Sequence, residues 1–248
     1  MNEIPNKEFS RRPPPVICDV EMDSIPQPFP NKSFHMAFVG RPGSGKTSLA
    51  VNIIAEKKAG HRVYYRKFDH VNVFCPKGSL SSLKNNPFES LPDDEIYNDF
   101  TLETLYDFEN KCEERASESP PETTLLFIDD LASELKCYGE LERIFKRLCF
   151  NRRHLRLSII NCVQRLTTIP KAVRATFSHI CFFKSTKTEN EILYKELLDI
   201  SKEKYIDLCG HCFKDRHDTI FVDLNNLEFS HNFNRLQGFI SPDDVAVE

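Results

Sequence analysis

The sequence predicts a single α/β domain with a central, mostly parallel β-sheet flanked by helices. Short apolar runs alternate with stretches of helical spacing, as in parallel sheets whose strands are joined by crossover helices. One apolar run, residues 124–128 (TLLFI), lacks polar alternation, which is typical of a strand buried on both faces. The chain has 248 residues, 40% of them hydrophobic and 28% charged. That composition is typical of globular proteins and argues against a fibrous or disordered chain.

The predicted elements follow one another along the chain. Strands are predicted at residues 34–39, 71–74, 124–128, 157–163, 179–183 and 219–224. Helices are predicted at residues 48–58, 101–116, 141–150 and 189–198. Residues 76–98 are rich in Ser, Asn, Pro and Asp, which predicts a loop with little regular structure.

Proline sets the N-terminal stretch apart. Seven of the fifteen prolines lie in residues 1–30, which favours an extended arm; the globular domain is then expected over residues 31–240 and a C-terminal tail over residues 241–248. We expect no membrane span, because no apolar run approaches about 20 residues. The N-terminus lacks the apolar core of a secretory signal. Together with nine cysteines, this predicts free thiols in an intracellular reducing compartment, either cytoplasm or nucleus.

A glycine-rich motif, G-x-x-x-x-G-K-[ST], occupies residues 40–47 between the first predicted strand and the first predicted helix. Its glycines allow a tight turn in which successive N–H groups face one anion, and the following helix directs its positive end at the same point. Lys46 is expected to reach the β- and γ-phosphates, and the Thr47 hydroxyl to coordinate Mg²⁺. The predicted nucleotide-binding residues are Gly40, Arg41, Pro42, Gly43, Ser44, Gly45, Lys46, Thr47 and Ser48.

Two carboxylates follow the buried run at residues 124–128. Asp129 is expected to hold Mg²⁺ opposite Thr47, and Asp130 to orient and deprotonate the attacking water. If the strand at 157–163 lies beside the strand at 124–128, Gln164 emerges next to the γ-phosphate, where its amide can hold that water or sense phosphate release. Paired acids favour nucleotide hydrolysis over phosphoryl transfer to a metabolite. A guanine-specific N-K-x-D motif is absent from the sequence, so ATP is the expected nucleotide.

Taken together, these motifs resemble a known family. The ordered set is PFPNKSFHMAFVGRPGSGKTSLA, KFDHVNVFCP, TTLLFIDDL and FNRRHLRLSIINCVQRLTTIPKAVRATFSHICFFK. It is similar, over residues 28–225, to the genome-packaging ATPases of large eukaryotic DNA viruses, virophages and related self-synthesising transposons, in the FtsK/HerA branch of P-loop motors. The resemblance implies an ASCE-type, RecA-like P-loop NTPase fold with ATP and Mg²⁺ as cofactors, and catalytic roles for Lys46, Asp130 and Gln164. Many relatives carry Asp-Glu where this chain has Asp129-Asp130, and the shorter side chain weakens the assignment of Asp130 as direct base.

The resemblance also implies partners. Members of this family look like homo-oligomeric rings, here expected to have five or six subunits, that push double-stranded DNA into a preformed capsid. A capsid or procapsid component is therefore an expected partner, and the viral assembly site or the virion an expected location. Ring motors use an arginine from the neighbouring subunit to neutralise transition-state charge. Arg153 is the first candidate, followed by Arg152 and then Arg174.

Charge is distributed unevenly, although the formal net charge is only −4. Residues 143–187 contain eleven Lys or Arg and no acid, whereas residues 89–122 contain twelve acids and two bases. The basic stretch is expected to contact DNA phosphates without reading bases. The alternative is that it docks against the acidic stretch of the same or the next subunit.

Two other functions stay open at this point. One is a nucleotide or small-molecule kinase, which would share the phosphate loop. The other is a nucleotide-gated assembly ATPase or AAA-type module that hydrolyses ATP too slowly to drive a motor. Cys209, Cys212 and His217 resemble half of a zinc site, but the sequence contains no second C-x-x-C to complete it.

Overall fold

The apolar runs of the sequence come together in one nine-stranded sheet. The structure is a computed structural model, and it describes residues 21–58, 60–79, 86–131 and 139–239. The strands are β1 (His35–Val39), β2 (His70–Phe74), β3 (Ile96–Tyr97), β4 (Thr124–Asp129), β5 (Leu157–Val163), β6 (His179–Phe183), β7 (Thr219–Asp223), β8 (Glu228–His231) and β9 (Asn234–Arg235). Their order in the sheet is β3-β2-β4-β5-β1-β6-β7-β8-β9.

Strands β3, β2, β4, β5, β1 and β6 run parallel, whereas β7, β8 and β9 are added antiparallel. Every residue of β1, β4, β5 and β6 is buried, as expected for parallel strands covered on both faces. The predicted α/β fold with a mostly parallel sheet is confirmed. The predicted pairing of the strand at 157–163 with the strand at 124–128 is also observed, because β5 lies directly beside β4.

Helices cover both faces of the sheet. They are α1 (Lys46–Ala55), α2 (Leu102–Ser117), α3 (Glu140–Asn151), α4 (Lys171–Arg174), α5 (Lys187–Ile192, continued by a π-helical turn at Leu193–Leu197) and α6 (Lys202–Cys212). Helix α1 ends earlier than predicted, because the chain turns back and the N–H of Tyr64 bonds to Ile53 O at 3.0 Å. Buried residues of α1 pack on one face of the sheet, and those of α2, α3, α5 and α6 on the other.

Several short or polar elements were not predicted from the sequence. Strand β3 and the short 3₁₀ turns Pro87–Ser90 and Asp93–Glu95 lie in the segment expected to be an irregular loop. Strands β8 and β9 extend the sheet beyond the strand predicted to be the last, and α6 precedes that strand. These elements are two to four residues long or carry mixed polar sequence, so they lack the periodicity that identifies longer elements.

The two faces of the sheet hold separate apolar clusters. Phe29, within the predicted N-terminal arm, belongs to the α1 side and packs against Tyr64, Phe221 and Phe233. Helix α2 contributes Leu105, Phe108 and Cys112 to the other cluster, whereas Leu102 is 43% exposed. The division into residues 1–30, 31–240 and 241–248 stays a prediction, since much of the arm and the whole tail lie outside the described residues.

Candidate active site

The topology brings three chain segments to one edge of the sheet. Strand β5 separates β4 from β1, and the three strands are parallel, so their carboxyl ends meet at the same edge. The glycine-rich loop follows β1, Asp129 ends β4 with Asp130 directly after it, and Gln164 follows β5. The phosphate-binding loop, the two carboxylates and the Gln164 amide therefore lie together, as predicted, although Gly40 and Gln164 are 124 residues apart in the sequence.

Close packing and backbone conformation explain the glycines of the phosphate loop. A Cβ at Gly40 would lie 2.5 Å from Ser44 Oγ and 3.0 Å from the Phe183 ring. Gly43 and Gly45 have φ values of 72° and 99°, which side-chain-bearing residues rarely adopt. Ser44 Oγ is buried and has no hydrogen-bond partner among the described residues. The loop thus has the shape and an unused polar atom that fit a bound anion.

Thr47 and Asp129 form the pair expected to hold a divalent cation. The Thr47 hydroxyl donates to Asp129 Oδ1 at 2.8 Å, and Ser79 Oγ donates to Asp129 Oδ2 at 3.2 Å. Asp129 is only 2% exposed. Burial raises the pKa of its carboxyl, and the Thr47 hydrogen bond opposes that shift. Hydroxyl and carboxylate oxygens are the ligand type that Mg²⁺ prefers, and a cation would offset the cost of this buried charge.

Lys46 and Gln164 both contact Asp130 beside that pair. Lys46 Nζ lies 3.5 Å from Asp130 Oδ1, and Gln164 Nε2 donates to the same oxygen at 3.3 Å. Lys46 is buried, whereas the Asp130 side chain is 33% exposed. The backbone of Asp130 has φ 55°, an uncommon conformation that Asp and Asn tolerate better than most residues. Both contacts to Asp130 are long and reach a partly exposed carboxylate, so they can be exchanged when a ligand enters.

Arg152 and Arg153 lie at the opposite edge of the sheet. They follow α3 and precede β5, and Arg152 O accepts the N–H of Leu157 at 2.8 Å. Arg152 Nη1 also donates to Cys149 O at 3.1 Å. These two arginines therefore do not join the phosphate loop of their own subunit. A catalytic role for either requires a neighbouring subunit's nucleotide.

Several other arginines of the predicted basic stretch have intramolecular partners. Arg147 forms an ion pair with Glu109 of α2, and Arg143 pairs with Glu140. Arg174 is buried, donates to the carbonyls of Leu166 and Ile169, and pairs with Glu196. For Arg147 the alternative prediction therefore applies, because this arginine contacts the acidic stretch of its own subunit and not a free surface. Arg174 is enclosed by its own subunit, so we retain only Arg153 and Arg152 as candidates for a trans-acting arginine.

Two residues that the sequence did not assign to the site contact the phosphate loop. His217 Nδ1 lies 2.9 Å from Ser44 O, and Arg216 Nη2 lies 3.4 Å from Gly43 O. Both precede β7, whose first residue Thr219 pairs with Phe183 at the end of β6. Because β6 is the neighbour of β1, the residues before β7 reach the same edge as the loop. The nearby sequence offered only one signal, the Cys-x-x-Cys that drew attention to His217.

The Cys209, Cys212 and His217 set does not form a metal site in the structure. Cys212 is buried and Cys209 is half-buried in α6, whereas His217 contacts the phosphate loop. Across the described ranges, no group of three or more His, Cys, Asp or Glu side chains is arranged to hold a metal ion. In those same ranges no helix combines the length and the apolar character needed to cross a bilayer.

Comparisons with known proteins bear on the family and the fold of the chain. The model of the Poxvirus A32 protein family matches residues 27–222. The genome packaging NTPase B204 of Sulfolobus turreted icosahedral virus 2, solved with sulfate, is 17% identical with a TM-score of 0.56 over 80% of this chain and 95% of that chain. The same protein solved with AMPPCP is 15% identical, with a TM-score of 0.55 over 80% and 96%. The B204 DNA-packaging ATPase of Sulfolobus turreted icosahedral virus is 18% identical, with a TM-score of 0.56 over 80% and 96%.

At these identities the structural matches establish the fold alone. No curated protein matches the chain. The family model covers most of the chain, including the phosphate loop, the acidic pair and Gln164. The chain is therefore a P-loop ATPase that belongs to the Poxvirus A32 protein family.

Proposed function

We propose that the protein is an ATP-driven motor that moves double-stranded DNA into a viral capsid, and that it works as a homo-oligomeric ring of five or six subunits. The observation that carries this proposal is the meeting of Lys46, Thr47, Asp129, Asp130 and Gln164 at one edge of the sheet in a member of the Poxvirus A32 protein family. The shared fold with B204, a genome packaging NTPase in one Sulfolobus virus and a DNA-packaging ATPase in the other, supports the same function.

ATP binding begins at the phosphate loop. Backbone N–H groups and the N-terminus of α1 receive the phosphates. Lys46 then exchanges Asp130, its partner at 3.5 Å, for the β- and γ-phosphates. Thr47 and Asp129 would hold Mg²⁺, which neutralises charge on the phosphate oxygens when bound. The exchange leaves the Asp130 carboxylate without its cation.

Hydrolysis uses the carboxylate that Lys46 releases. Asp130 orients the attacking water and accepts its proton. Gln164, which donates to Asp130 at 3.3 Å, holds that carboxylate and registers whether the γ-phosphate is present. Because Lys46 reaches Asp130 only when the phosphates are absent, the base is free only while ATP is bound. This couples hydrolysis to occupancy of the loop.

A second subunit completes the site. Arg153, with Arg152 as the alternative, is supported as the trans-acting arginine by its position at the sheet edge opposite its own nucleotide site. Arginine fingers are worth about 10³ to 10⁵ in turnover number in other P-loop enzymes. We therefore propose that nucleotide sites lie between subunits, so that an isolated subunit turns over slowly.

DNA, the capsid and the place of assembly follow from the motor function. Double-stranded DNA is the proposed cargo and a capsid or procapsid component the proposed docking partner. The proposed place of action is a reducing intracellular assembly site, with the virion as a further location. The free thiols of the seven cysteines in the described ranges are consistent with that environment.

The test is steady-state ATP hydrolysis with and without long double-stranded DNA, on wild type, Arg153→Ala and Lys46→Ala. We expect DNA to stimulate the wild type, Arg153→Ala to lose the stimulated rate while retaining ATP affinity, and Lys46→Ala to be inactive. Wild-type hydrolysis that ignores DNA would overturn the motor. Transfer of phosphate to a nucleotide or metabolite acceptor would favour a kinase instead.

A further inference from the structure

The segment between α1 and β2 carries a dense positive surface that the active site does not use. Residues 57–68 contain no Asp or Glu, and they interleave basic with aromatic residues. We name the α1–β2 basic surface by its five cations: Lys57, Lys58, Arg62, Arg66 and Lys67. Four of the five are exposed, and Lys67 is half-buried.

Three of these cations surround a single aromatic ring. Lys57 Nζ lies 5.9 Å from the centre of the Tyr65 ring, Arg62 Cζ 5.5 Å and Arg66 Cζ 5.3 Å. Each contact with the ring is favourable. The three like charges repel one another, however, and an anion bound there would relieve this repulsion.

The acids that flank this surface in the sequence bond to backbone or hydroxyl groups rather than to its cations. The Glu56 carboxylate accepts the backbone N–H of Lys58 at 2.7 Å, and the Asp69 carboxylate accepts the N–H and hydroxyl of Thr123, both at 2.8 Å. Within the described parts of the chain, none of the five cations forms an ion pair with a carboxylate. The charge of the surface is therefore available to a partner.

Several hydrogen bonds anchor parts of the surface to the rest of the domain. Tyr64 is 1% exposed, its hydroxyl donates to Pro30 O at 2.8 Å, and its N–H bonds to Ile53 O of α1. Arg62 Nε donates to Lys57 O at 2.6 Å, and Lys67 Nζ to Asp23 O at 2.7 Å. The cations thus project from a platform attached to α1, which leads back to Lys46 over about 15 Å of helix.

We propose that the α1–β2 basic surface binds the phosphate backbone of double-stranded DNA. The charge and its exposure fit a polyanion, and contacts between cations and phosphates do not read sequence. Single-stranded DNA is disfavoured, because a base would need the face of Tyr65 for stacking and cations already surround that ring. This inference rests on the proposed motor function and names the residues that grip its cargo. Helix α1 then links the DNA contact directly to the phosphate loop.

The test compares two triple variants with three charges removed from each. The first is Lys57→Gln/Arg62→Gln/Arg66→Gln. The matched control is Lys195→Gln/Lys202→Gln/Lys214→Gln, whose residues lie outside the basic stretch 143–187 and are exposed on the π turn, on α6 and just after α6, beyond the opposite face of the sheet. The control also contains a cation beside an aromatic ring, because Lys195 Nζ lies 5.8 Å from the Tyr194 ring centre. Binding of a labelled mixed-sequence duplex and of a single strand of equal length is measured across a salt series.

We expect the surface variant to bind duplex about tenfold more weakly, with the slope of log affinity against log salt reduced by about 2.7, or about 0.9 per phosphate contact. The single variant Arg66→Gln should reduce that slope by about 0.9. The control should match wild type, and equal melting temperatures would exclude a folding defect.

Duplex binding and DNA-stimulated hydrolysis at wild-type levels in the surface variant would overturn the assignment of this surface alone. Loss of single-strand binding with duplex binding intact would also overturn it. A wild type that shows neither duplex binding nor DNA stimulation would instead overturn the motor function itself.

Discussion

The two ends of the parallel strands are both polar, but their polar groups are held in different ways. At the carboxyl end, Asp130 receives Lys46 at 3.5 Å and Gln164 at 3.3 Å, and it is partly exposed. Towards the amino end, His35 of β1 is fully buried, with Nδ1 2.8 Å from Thr176 Oγ1 and Nε2 2.6 Å from Asn161 Nδ2. The contacts of Asp130 are long and accessible to solvent, whereas the contacts of His35 are short and buried.

This difference separates exchangeable from permanent contacts. A ligand can replace a long contact to an exposed oxygen, because little hydrogen-bond energy is lost. Breaking a short buried contact leaves an unsatisfied group, at a cost of about 1–3 kcal/mol. Substitutions at the carboxyl end should therefore change turnover more than folding. Substitutions towards the amino end should change folding more than turnover.

The largest effect is expected at Asp130. Asp130→Asn removes the base but keeps an oxygen for Gln164, and Asn tolerates the positive φ of this position. We expect turnover to fall by about 10² to 10⁴ while ATP affinity is retained or improved, because Lys46 loses its competing partner. Single-turnover hydrolysis and equilibrium binding of a fluorescent ATP analogue separate the two quantities. Full turnover in this variant would remove Asp130 from the mechanism.

Asp129 should show opposite effects on activity and stability. Burial raises the pKa of its carboxyl, so the folded protein loses stability as the pH rises through that pKa and the buried group ionises. Asp129→Asn removes this loss, so we expect a higher melting temperature near neutral pH in the absence of nucleotide. Hydrolysis with Mg²⁺ should fall by about 10²-fold or more, because a ligand of the cation is lost. A variant that melts lower than wild type across the neutral range would contradict the account of the buried charge.

These site residues could be predicted because sequence motifs mark them. The strands β1, β4 and β5 are five to seven buried residues long and mostly apolar, so their apolar character identifies each of them. The residue at the end of each strand, or directly after it, is then expected at the sheet edge. The distances among Lys46, Asp130 and Gln164, and the positive φ of Asp130, depend on how the strands pack, which no local pattern records.

Arg216 and His217 show what the sequence could not reveal. They lie 173 residues from the loop carbonyls they contact. Their position depends on β7 running antiparallel to β6, which an apolar run such as residues 219–224 does not specify. The role of His35 could not be predicted for another reason. It lies within a mostly apolar strand, and its hydrogen-bond partners Thr176 and Asn161 come from other elements.

His217 offers a finer test of the exchangeable end. A carbonyl oxygen only accepts, so His217 Nδ1 carries the proton and donates to Ser44 O. This bond orients the Ser44–Gly45 peptide, whose N–H points away from His217 because the C=O and N–H of a trans peptide point in opposite directions. His217→Leu should weaken ATP binding about fivefold, the equivalent of one hydrogen bond, with little change in the turnover number. His217→Asn, which places an amide donor near Nδ1, should restore affinity. Equal affinity in the Leu and Asn variants would show that the contact does not position the loop.

The smallest expected effect is on the pH dependence of stability, and it tests the buried contacts near the amino ends of the strands. Burial, and then the nearby charge of Arg152, lower the pKa of His35 well below its usual range. Burial lowers the pKa of His179 to about 4, despite the opposing charge of Asp223. When the pKa of a histidine is lower in the folded protein than in the unfolded chain, only the unfolded chain binds the proton at pH values between the two pKa values. Stability is therefore complete above about pH 6.5 and falls by up to about 1.4 kcal/mol per pH unit per histidine below it.

His35→Gln tests this contribution directly. Gln retains one donor and one acceptor for Thr176 and Asn161 but does not titrate. We expect it to be less stable than wild type at neutral pH, because contact with the Phe177 ring is reduced. Between about pH 7 and about pH 5.5 it should lose about 1 kcal/mol less unfolding free energy than wild type, as measured by urea denaturation. ATP affinity at neutral pH should not change, since His35 lies at the far end of β1 from the phosphate loop. Identical acid dependence in the two proteins would mean that His35 is not held neutral, and that the contacts towards the amino end are as exchangeable as those around Asp130.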